Sequence, residues 1–150
     1  MPDRHAITIL LADDDEDDRL MTRNALREAR LSNDLRTVAD GVELLDYLKR
    51  RGQYANRGEA PRPGLILLDL NMPRMDGREA LAAIKADPEL RSIPVIVLTT
   101  STAEEDIVRT YDLGVNTFIT KPVTFLGLVE VMRVVSRHWL EIVELPPAGD

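Results

Sequence analysis

The chain has 150 residues, of which 44% are apolar and 30% charged, which fits one globular domain and excludes a disordered or fibrous protein. The absence of cysteine excludes a disulfide framework, a thiolate zinc site, an iron–sulfur cluster and a cysteine nucleophile. The formal charge is −7, and most of it comes from six consecutive carboxylates at residues 13–18 on an otherwise nearly neutral chain, so we expect no nucleic-acid or anionic-membrane partner.

Short apolar runs alternate with longer amphipathic stretches in the first half of the chain. Residues 7–12 predict a buried strand, residues 17–31 a helix and residues 35–39 a second strand. A helix carrying Val42, Leu44, Leu45 and Leu48 follows Asp40-Gly41. In the first helix, Leu20, Ala25 (with Leu26 beside it) and Ala29 recur at helical spacing, which predicts that they share the apolar face.

The alternation continues in the second half. Residues 65–68 predict a strand that is covered on both faces, because all four are apolar. A helix at 78–86, a strand at 95–98, a helix at 104–113, a strand at 117–120 and a last helix at 124–144 follow. Five strand–helix units in strict order predict an α/β fold with a doubly wound, five-stranded parallel sheet. The connection at about 50–64 is long and rich in Arg, Gly and Pro, and we expect it to be a solvated extension.

The organisation of the chain is simple. We expect one domain at residues 7–144, an N-terminal arm at 1–6 and a frayed tail at 145–150. No output domain is expected, because one helix takes up nearly all that follows the fifth strand. No apolar run approaches the ~18 residues of a membrane span, and the polar start of the chain lacks a signal-peptide core, so a cytoplasmic protein without membrane contact is expected.

Polar residues that can carry chemistry follow the predicted strands. Asp13 and Asp14 come after the first strand, Asp69 after the third, Thr99 after the fourth and Lys121 after the fifth. Ligands of open parallel sheets bind outside the carboxyl ends of the strands. We therefore expect a carboxylate cluster, a hydroxyl and a lysine to meet at one edge of the sheet.

This set of side chains favours phosphoryl chemistry with a hard cation. Clustered carboxylates repel one another unless a cation lies between them, and oxygen ligands favour Mg²⁺. A calcium EF-hand loop starting at Asp13 is excluded, since Asp18 stands where it needs glycine and Asn24 where it needs glutamate. With the cation bound, Asp69 can act as a carboxylate nucleophile toward a phosphoryl group, to which Thr99 donates a hydrogen bond and Lys121 supplies a positive charge.

Four segments in order resemble the receiver domain of two-component response regulators over essentially the whole chain. They are ILLADD at 9–14, LLDLNMPRMDG at 67–77, PVIVLTTS at 94–101 and TKP at 120–122. The resemblance implies a flavodoxin-like receiver fold with strand order 2-1-3-4-5. It also implies that Asp69 is the phosphoacceptor and that Mg²⁺ binds Asp13, Asp14, Asp69 and the backbone carbonyl of Asn71.

The resemblance implies further roles. Thr99 and Lys121 match the residues that contact the phosphoryl group, and Thr99 and Phe118 match the switch residues of the family. Asn71 and Ser101 occupy the variable positions that modulate access of the hydrolytic water. Within the family, the 50–64 connection, LTTS at 98–101 and WLEIVELP at 139–146 are similar to single-domain regulators paired with phytochrome-type histidine kinases. That similarity implies a histidine kinase of the bacteriophytochrome type as the phosphoryl donor. The resemblance to the receiver family implies a homodimer through the fourth predicted helix, the fifth strand and the last helix.

Two other functions use parts of the same pattern. An aspartyl-phosphate phosphatase or phosphotransferase shares the nucleophile and the metal, but such enzymes expect a second aspartate as general acid where this chain has Asn71. A flavin-binding module shares the fold, but the carboxylate run would repel a flavin phosphate and the expected phosphate cradle is missing. We therefore expect a signalling domain, limited to self-catalysed phosphotransfer and autodephosphorylation, rather than an enzyme. Asp17 and Asp18 are interpreted as favourable charge at a helix start.

Overall fold

A five-stranded parallel sheet forms the centre of the fold. The structure, a computed structural model, describes residues 7–29, 34–55, 60–70, 72–99, 117–120 and 124–135. The strands lie in the order β2-β1-β3-β4-β5, which confirms the predicted fold class and strand order. Their bounds are β1 Ile9–Ala12, β2 Leu35–Val38, β3 Leu65–Asp69, β4 Val95–Thr99 and β5 Thr117–Thr120.

Helices cover both faces of this sheet, because alternate side chains of each strand point to opposite sides. The α-helices of the described residues are α1 Glu16–Glu28, α2 Gly41–Lys49, α3 Gly77–Ala86 and α4 Phe125–Val135. One apolar cluster joins the side chains of Leu10, Ile66 and Val97 to α2 and α3. The other joins those of their neighbours, such as Leu11 and Leu67, to α1 and α4. The fold is therefore doubly wound, as predicted.

Aspartates cap the N-termini of three α-helices that begin near the carboxyl edge of the sheet. Asp15 caps α1 by accepting hydrogen bonds from the N–H groups of Asp17 and Asp18 at 2.8 and 3.3 Å. Asp40 caps α2, and Asp76 caps α3 in a capping box with Glu79. Each cap stabilises a helix start at the carboxyl edge of the sheet, so the helix N-termini are close to the strand ends.

One predicted core residue of α1 is wrong. Leu20 is 56% exposed, whereas Ala25 is fully buried. Five residues turn an α-helix by about 140° beyond a full turn, so Leu20 lies away from the face that carries Ala25. Thr22 takes an inward position instead, and its hydroxyl donates to the carbonyl oxygen of Asp18 at 3.0 Å.

Part of the connection before β3 packs on the domain: among its described residues, 51–53 and 55 are exposed, whereas Tyr54 and Ala60 pack against the apolar cluster that contains α2. A short 3₁₀ helix, Gly52–Tyr54, places the Tyr54 ring against the Tyr47 ring with centroids 5.1 Å apart. The Tyr47 hydroxyl donates to the carbonyl oxygen of Pro61 at 2.9 Å, and Ala60 is buried. The contact between the Tyr47 and Tyr54 rings thus gives the connection an apolar attachment to α2.

Some sequence predictions fall outside the described residues. These are the arm at 1–6, the helix at 104–113, the end of the last helix after residue 135 and the tail at 145–150. Within the described ranges, no helix has the length and apolar character needed to cross a membrane.

Candidate functional site

Three carboxylates meet at the carboxyl edge of the sheet, where the sequence predicts them. Ala12 lies opposite Leu68 in the β1–β3 pairing, so Asp13 and Asp69, the next residues of each strand, are neighbours. One oxygen from each of Asp13, Asp14 and Asp69 lies within 4.8 Å of the others. Asp13 and Asp69 are buried, at 1% and 4% exposure, and Asp14 is exposed. The cluster is therefore anchored in the domain and open to solvent on one side.

The β1–α1 turn holds Asp13 in place. Its Oδ1 accepts the backbone N–H of Asp15 at 2.9 Å, and its own N–H donates to the carbonyl oxygen of Val38 at 3.0 Å. The guanidinium of Arg19, one turn into α1, donates to the carbonyl oxygen of Asp13 at 2.7 Å. The acidic run thus divides into two carboxylates at the site, Asp13 and Asp14, and a capped helix start beside them.

The β3–α3 loop connects Asp69 to Gly77, and Gly77 packs back against the end of β3. The N–H of Gly77 donates to the carbonyl oxygen of Leu70 at 3.0 Å. A Cβ at Gly77 would lie 2.4 Å from the carbonyl oxygen of Asp69, so only glycine allows this approach. The first turn of α3 therefore packs directly on the backbone of Asp69.

A second attachment, which the sequence did not predict, holds the tip of this loop. Arg74 has a left-handed backbone with φ 65°, and its guanidinium makes two hydrogen bonds to the Asp40 carboxylate, at 2.9 and 3.0 Å. The N–H of Gly41 donates to the carbonyl oxygen of Met75 at 2.9 Å. The sequence does indicate Asp40-Gly41 as a helix start. It does not indicate that Arg74 of the loop binds Asp40.

The environment of Asp40 favours its charged form. Burial alone would raise the pKa of this carboxyl, but the hydrogen bonds from Arg74 and from the first N–H groups of α2, with the Arg74 charge, outweigh burial and hold the pKa below its ordinary value. Nearby, Glu43 accepts the N–H of Ala39 at 2.8 Å and the hydroxyl of Tyr54. Burial and the Glu43 carboxylate raise the pKa of Tyr54.

The other predicted site residues are placed only in part. The backbone of Thr99 ends β4 at the same edge, one residue beyond Leu98, which lies opposite Asp69. Phe118 is in β5, opposite Val97. Asn71, Ser101 and Lys121 lie outside the described residues. The described geometry thus brings together Asp13, Asp14 and Asp69, with the backbone of Thr99 on the neighbouring strand.

The carboxylate cluster fits a hard divalent cation. At 4.8 Å, two buried charges such as Asp13 and Asp69 repel by about 1 kcal/mol in water and by about 3–4 kcal/mol at an effective dielectric constant of about 20. A cation bound by all three carboxylates would offset this repulsion. Carboxylate oxygens with an open side for water suit Mg²⁺ or Mn²⁺.

Comparison with known proteins identifies the family. The sequence model of the response regulator receiver domain family matches residues 9–133 of this chain. Response regulator Rcp1 of Synechocystis sp. is 41% identical over 140 residues, which cover 93% of this chain and 93% of that protein. The phosphorylated cyanobacterial phytochrome response regulator RcpA has a similar structure, with 44% identity, a TM-score of 0.81 and coverage of 91% of this chain and 96% of that one.

A further solved structure bears on the metal. The Mn²⁺-bound form of Rcp1 is 39% identical, with a TM-score of 0.77 and coverage of 90% of this chain and 95% of that one. A divalent cation in that relative agrees with the donor set found here. The family match, the shared strand order and the aspartates at the ends of β1 and β3 lead to one conclusion: the chain belongs to the response regulator receiver domains of two-component signalling, close to phytochrome-associated regulators.

Proposed function

We propose that this receiver domain accepts a phosphoryl group from a histidine kinase on Asp69, in a Mg²⁺-dependent reaction. The observation that carries the proposal is the position of Asp69. Its carboxylate is buried at the carboxyl edge of the sheet, and one of its oxygens lies within 4.8 Å of oxygens of Asp13 and Asp14. A nucleophile beside a cation-binding pair is the arrangement that phosphoryl transfer requires.

The proposed transfer needs no further acid or base from the described residues. A carboxylate oxygen of Asp69 attacks the phosphorus of the kinase phosphohistidine, and the P–O bond forms as the P–N bond breaks. The bonding pair stays on the imidazole nitrogen, which takes a proton from solvent. Asp13, Asp14, Asp69 and the backbone carbonyl of Asn71 would hold Mg²⁺, which when bound offsets charge on the phosphoryl oxygens. Hydrolysis of the acyl phosphate by water would end the signal, so self-catalysed transfer and autodephosphorylation are the only proposed reactions.

The remaining site residues have proposed roles in the response. Thr99 would donate a hydrogen bond to the phosphoryl group and Lys121 would supply a positive charge. The pairing of β4 with β3, which places the Thr99 backbone beside the end of β3, supports the first role. Phe118 would change position with Thr99 as the switch aromatic, and Asn71 and Ser101 would tune the access of water.

The proposed partners come from the relatives. Because RcpA is described as a phytochrome response regulator and Rcp1 is 41% identical, we propose a phytochrome-type kinase in the cytoplasm as the donor. The proposed output is a homodimer formed through the helix predicted at 104–113, β5 and α4. Sedimentation of the unphosphorylated and phosphorylated forms tests this, and a monomer in both forms would contradict it.

The central experiment is labelling with a small phosphodonor such as acetyl phosphate. The wild-type protein should be labelled in Mg²⁺ and not in EDTA, and Asp69→Asn should abolish the label. Asp17→Asn is the matched control, because Asp17 is an exposed acid of the same acidic run and caps nothing. The control should be labelled like the wild type. Label that persists in Asp69→Asn would show that another residue is the acceptor.

A further inference from the structure

The loop that follows Asp69 is fixed at both its base and its tip. At the base, Gly77 donates to the carbonyl oxygen of Leu70 and packs on the backbone of Asp69. At the tip, Arg74 binds Asp40 and the carbonyl oxygen of Met75 accepts the N–H of Gly41. The contacts at the base join residues that are close in the sequence, whereas the contacts at the tip join the loop to the start of α2.

The anchor on α2 is rigid. Asp40 is only 8% exposed, and the same carboxylate that binds Arg74 also caps α2 by accepting the N–H of Glu43 at 2.8 Å. Gly41 comes next, and a Cβ there would lie 2.3 Å from the carbonyl oxygen of Met75. The loop backbone thus rests directly on the first turn of α2, next to the residue that the Arg74 guanidinium binds.

The tip adopts a backbone conformation that needs support. Arginine rarely has positive φ, and Arg74 holds φ 65° although its side chain is 60% exposed. The two hydrogen bonds to Asp40 favour this conformation over the ordinary ones. Without them, the loop would sample more conformations, and fewer of these would present Asp69 and the start of the loop in the arrangement seen here.

We propose that Asp40 and Arg74 are positioning residues for cation binding and phosphoryl transfer at Asp69, and that they act through the shape of the β3–α3 loop. This inference rests on the function proposed above. It predicts that the ion pair affects the chemistry of the site although neither residue is in the carboxylate cluster, since the loop that it fixes leaves directly from the phosphoacceptor. Groups that orient the residues around a metal site commonly change metal affinity or activity by about 10–100-fold when they are removed.

The test uses two substitutions that preserve the local backbone. Asp40→Asn keeps a good helix cap but loses the charge, and Arg74→Asn keeps a residue that tolerates positive φ but loses the guanidinium. Mn²⁺ affinity is measured by electron paramagnetic resonance of the free ion, and labelling by acetyl phosphate is measured as a function of donor concentration. Each variant should bind Mn²⁺ about tenfold more weakly and be labelled more slowly at saturating donor. Thermal unfolding confirms that the variants are folded at the assay temperature.

A double-mutant cycle separates positioning from general destabilisation. If the pair acts as one unit, Asp40→Asn with Arg74→Asn should bind Mn²⁺ no more weakly than either single variant. Arg51→Gln is the control, because it removes an exposed ion pair to Asp46 near the other end of α2 and should leave affinity unchanged.

Two results would overturn the inference. The first is that Mn²⁺ affinity and the labelling rate stay within twofold of wild type in both single variants. The second is that the losses of Mn²⁺ affinity in the two single variants add up in the double variant. Failure of the proposed function is distinguishable, because then the wild-type protein itself would show no cation-dependent label on Asp69.

Discussion

Replacement of Gly77 by alanine provides a sharp test of how the site is built. Gly77 is the first residue of α3, where alanine favours the helix by less than the ~0.5–1 kcal/mol that it gains over glycine in a helix interior. Here the new Cβ would lie 2.4 Å from the carbonyl oxygen of Asp69 and 2.7 Å from the Cα of Leu70. Both are backbone atoms, so no side chain can rotate away to make room.

The size of the effect follows from these distances. Real Cβ atoms essentially never approach another heavy atom closer than 3.0 Å, so α3 and the end of β3 must separate by at least about 0.6 Å. Overpacking of this kind costs about 1–3 kcal/mol. After the gain in helix propensity, we expect a net loss of about 1–2 kcal/mol, or about 2–8 °C in melting temperature for a chain of this length. A shift of this size at a reacting group lowers rates by about tenfold or more.

Thermal unfolding and acetyl phosphate labelling of Asp69 measure the two effects separately. Ala82→Ser, on the exposed side of the same helix, is the control; it should leave labelling unchanged and lower the melting temperature only by about 1–2 °C, through helix propensity. If Gly77→Ala is as stable as the wild-type protein or more stable, and is labelled at the same rate, then helix propensity dominates and the close packing of α3 on Asp69 is unimportant.

Three further predictions concern other parts of the molecule. Tyr54→Phe removes the hydrogen bond to the half-buried Glu43 carboxylate and should lower the melting temperature by about 2–4 °C, corresponding to about 1 kcal/mol, whereas an unchanged value would show that the connection adds no stability. Because the pKa of Asp40 is lowered in the folded protein, its stabilising effect is complete above its unfolded pKa of about 4 and lost as the pH falls through the folded value. The difference in melting temperature between wild type and Asp40→Asn should therefore shrink below about pH 4, and a constant difference would refute this linkage. Leu126 is 73% exposed in the first turn of α4, which belongs to the proposed homodimer, so Leu126→Ala should weaken self-association in sedimentation while labelling by acetyl phosphate stays unchanged; unaltered self-association would exclude Leu126 from the interface.

The sequence predicts the fold and the carboxylate cluster well because both depend on local patterns. Residues 65–68 are all apolar, which indicates a strand covered on both faces, and Asp69 follows directly. In a parallel sheet all strands end at the same edge, so the positions of Asp13 after β1 and Asp69 at the end of β3 predict that both lie at that edge. That β1 and β3 are neighbours follows from the strand order that the family resemblance implies, not from the local pattern.

Contacts between loops and helices could not be predicted in the same way. The pair of Arg74 and Asp40 depends on a positive φ and on the docking of a loop against a helix, and neither leaves a periodic pattern. Tyr54 was in a segment rich in charged and turn-forming residues, which concealed its contact with Tyr47. For Leu20 the pattern itself misleads. It lies five residues before Ala25, which turns its side chain about 140° away from the buried face.

The parallel pairing of β1 with β3 has a consequence for the kinetics of folding. Ile9 pairs with Leu65. The chain must therefore close a long loop that contains β2, the α-helices α1 and α2 and the 3₁₀ helix before these strands meet. Such non-local pairing is slow, because the entropic cost of closure precedes the contacts that compensate for it. A cation held by Asp13 and Asp69 would bind only after this step, because the two carboxylates meet only once the strands have paired. It would then stabilise the native state by binding to it, and we expect it to slow unfolding more than it speeds folding.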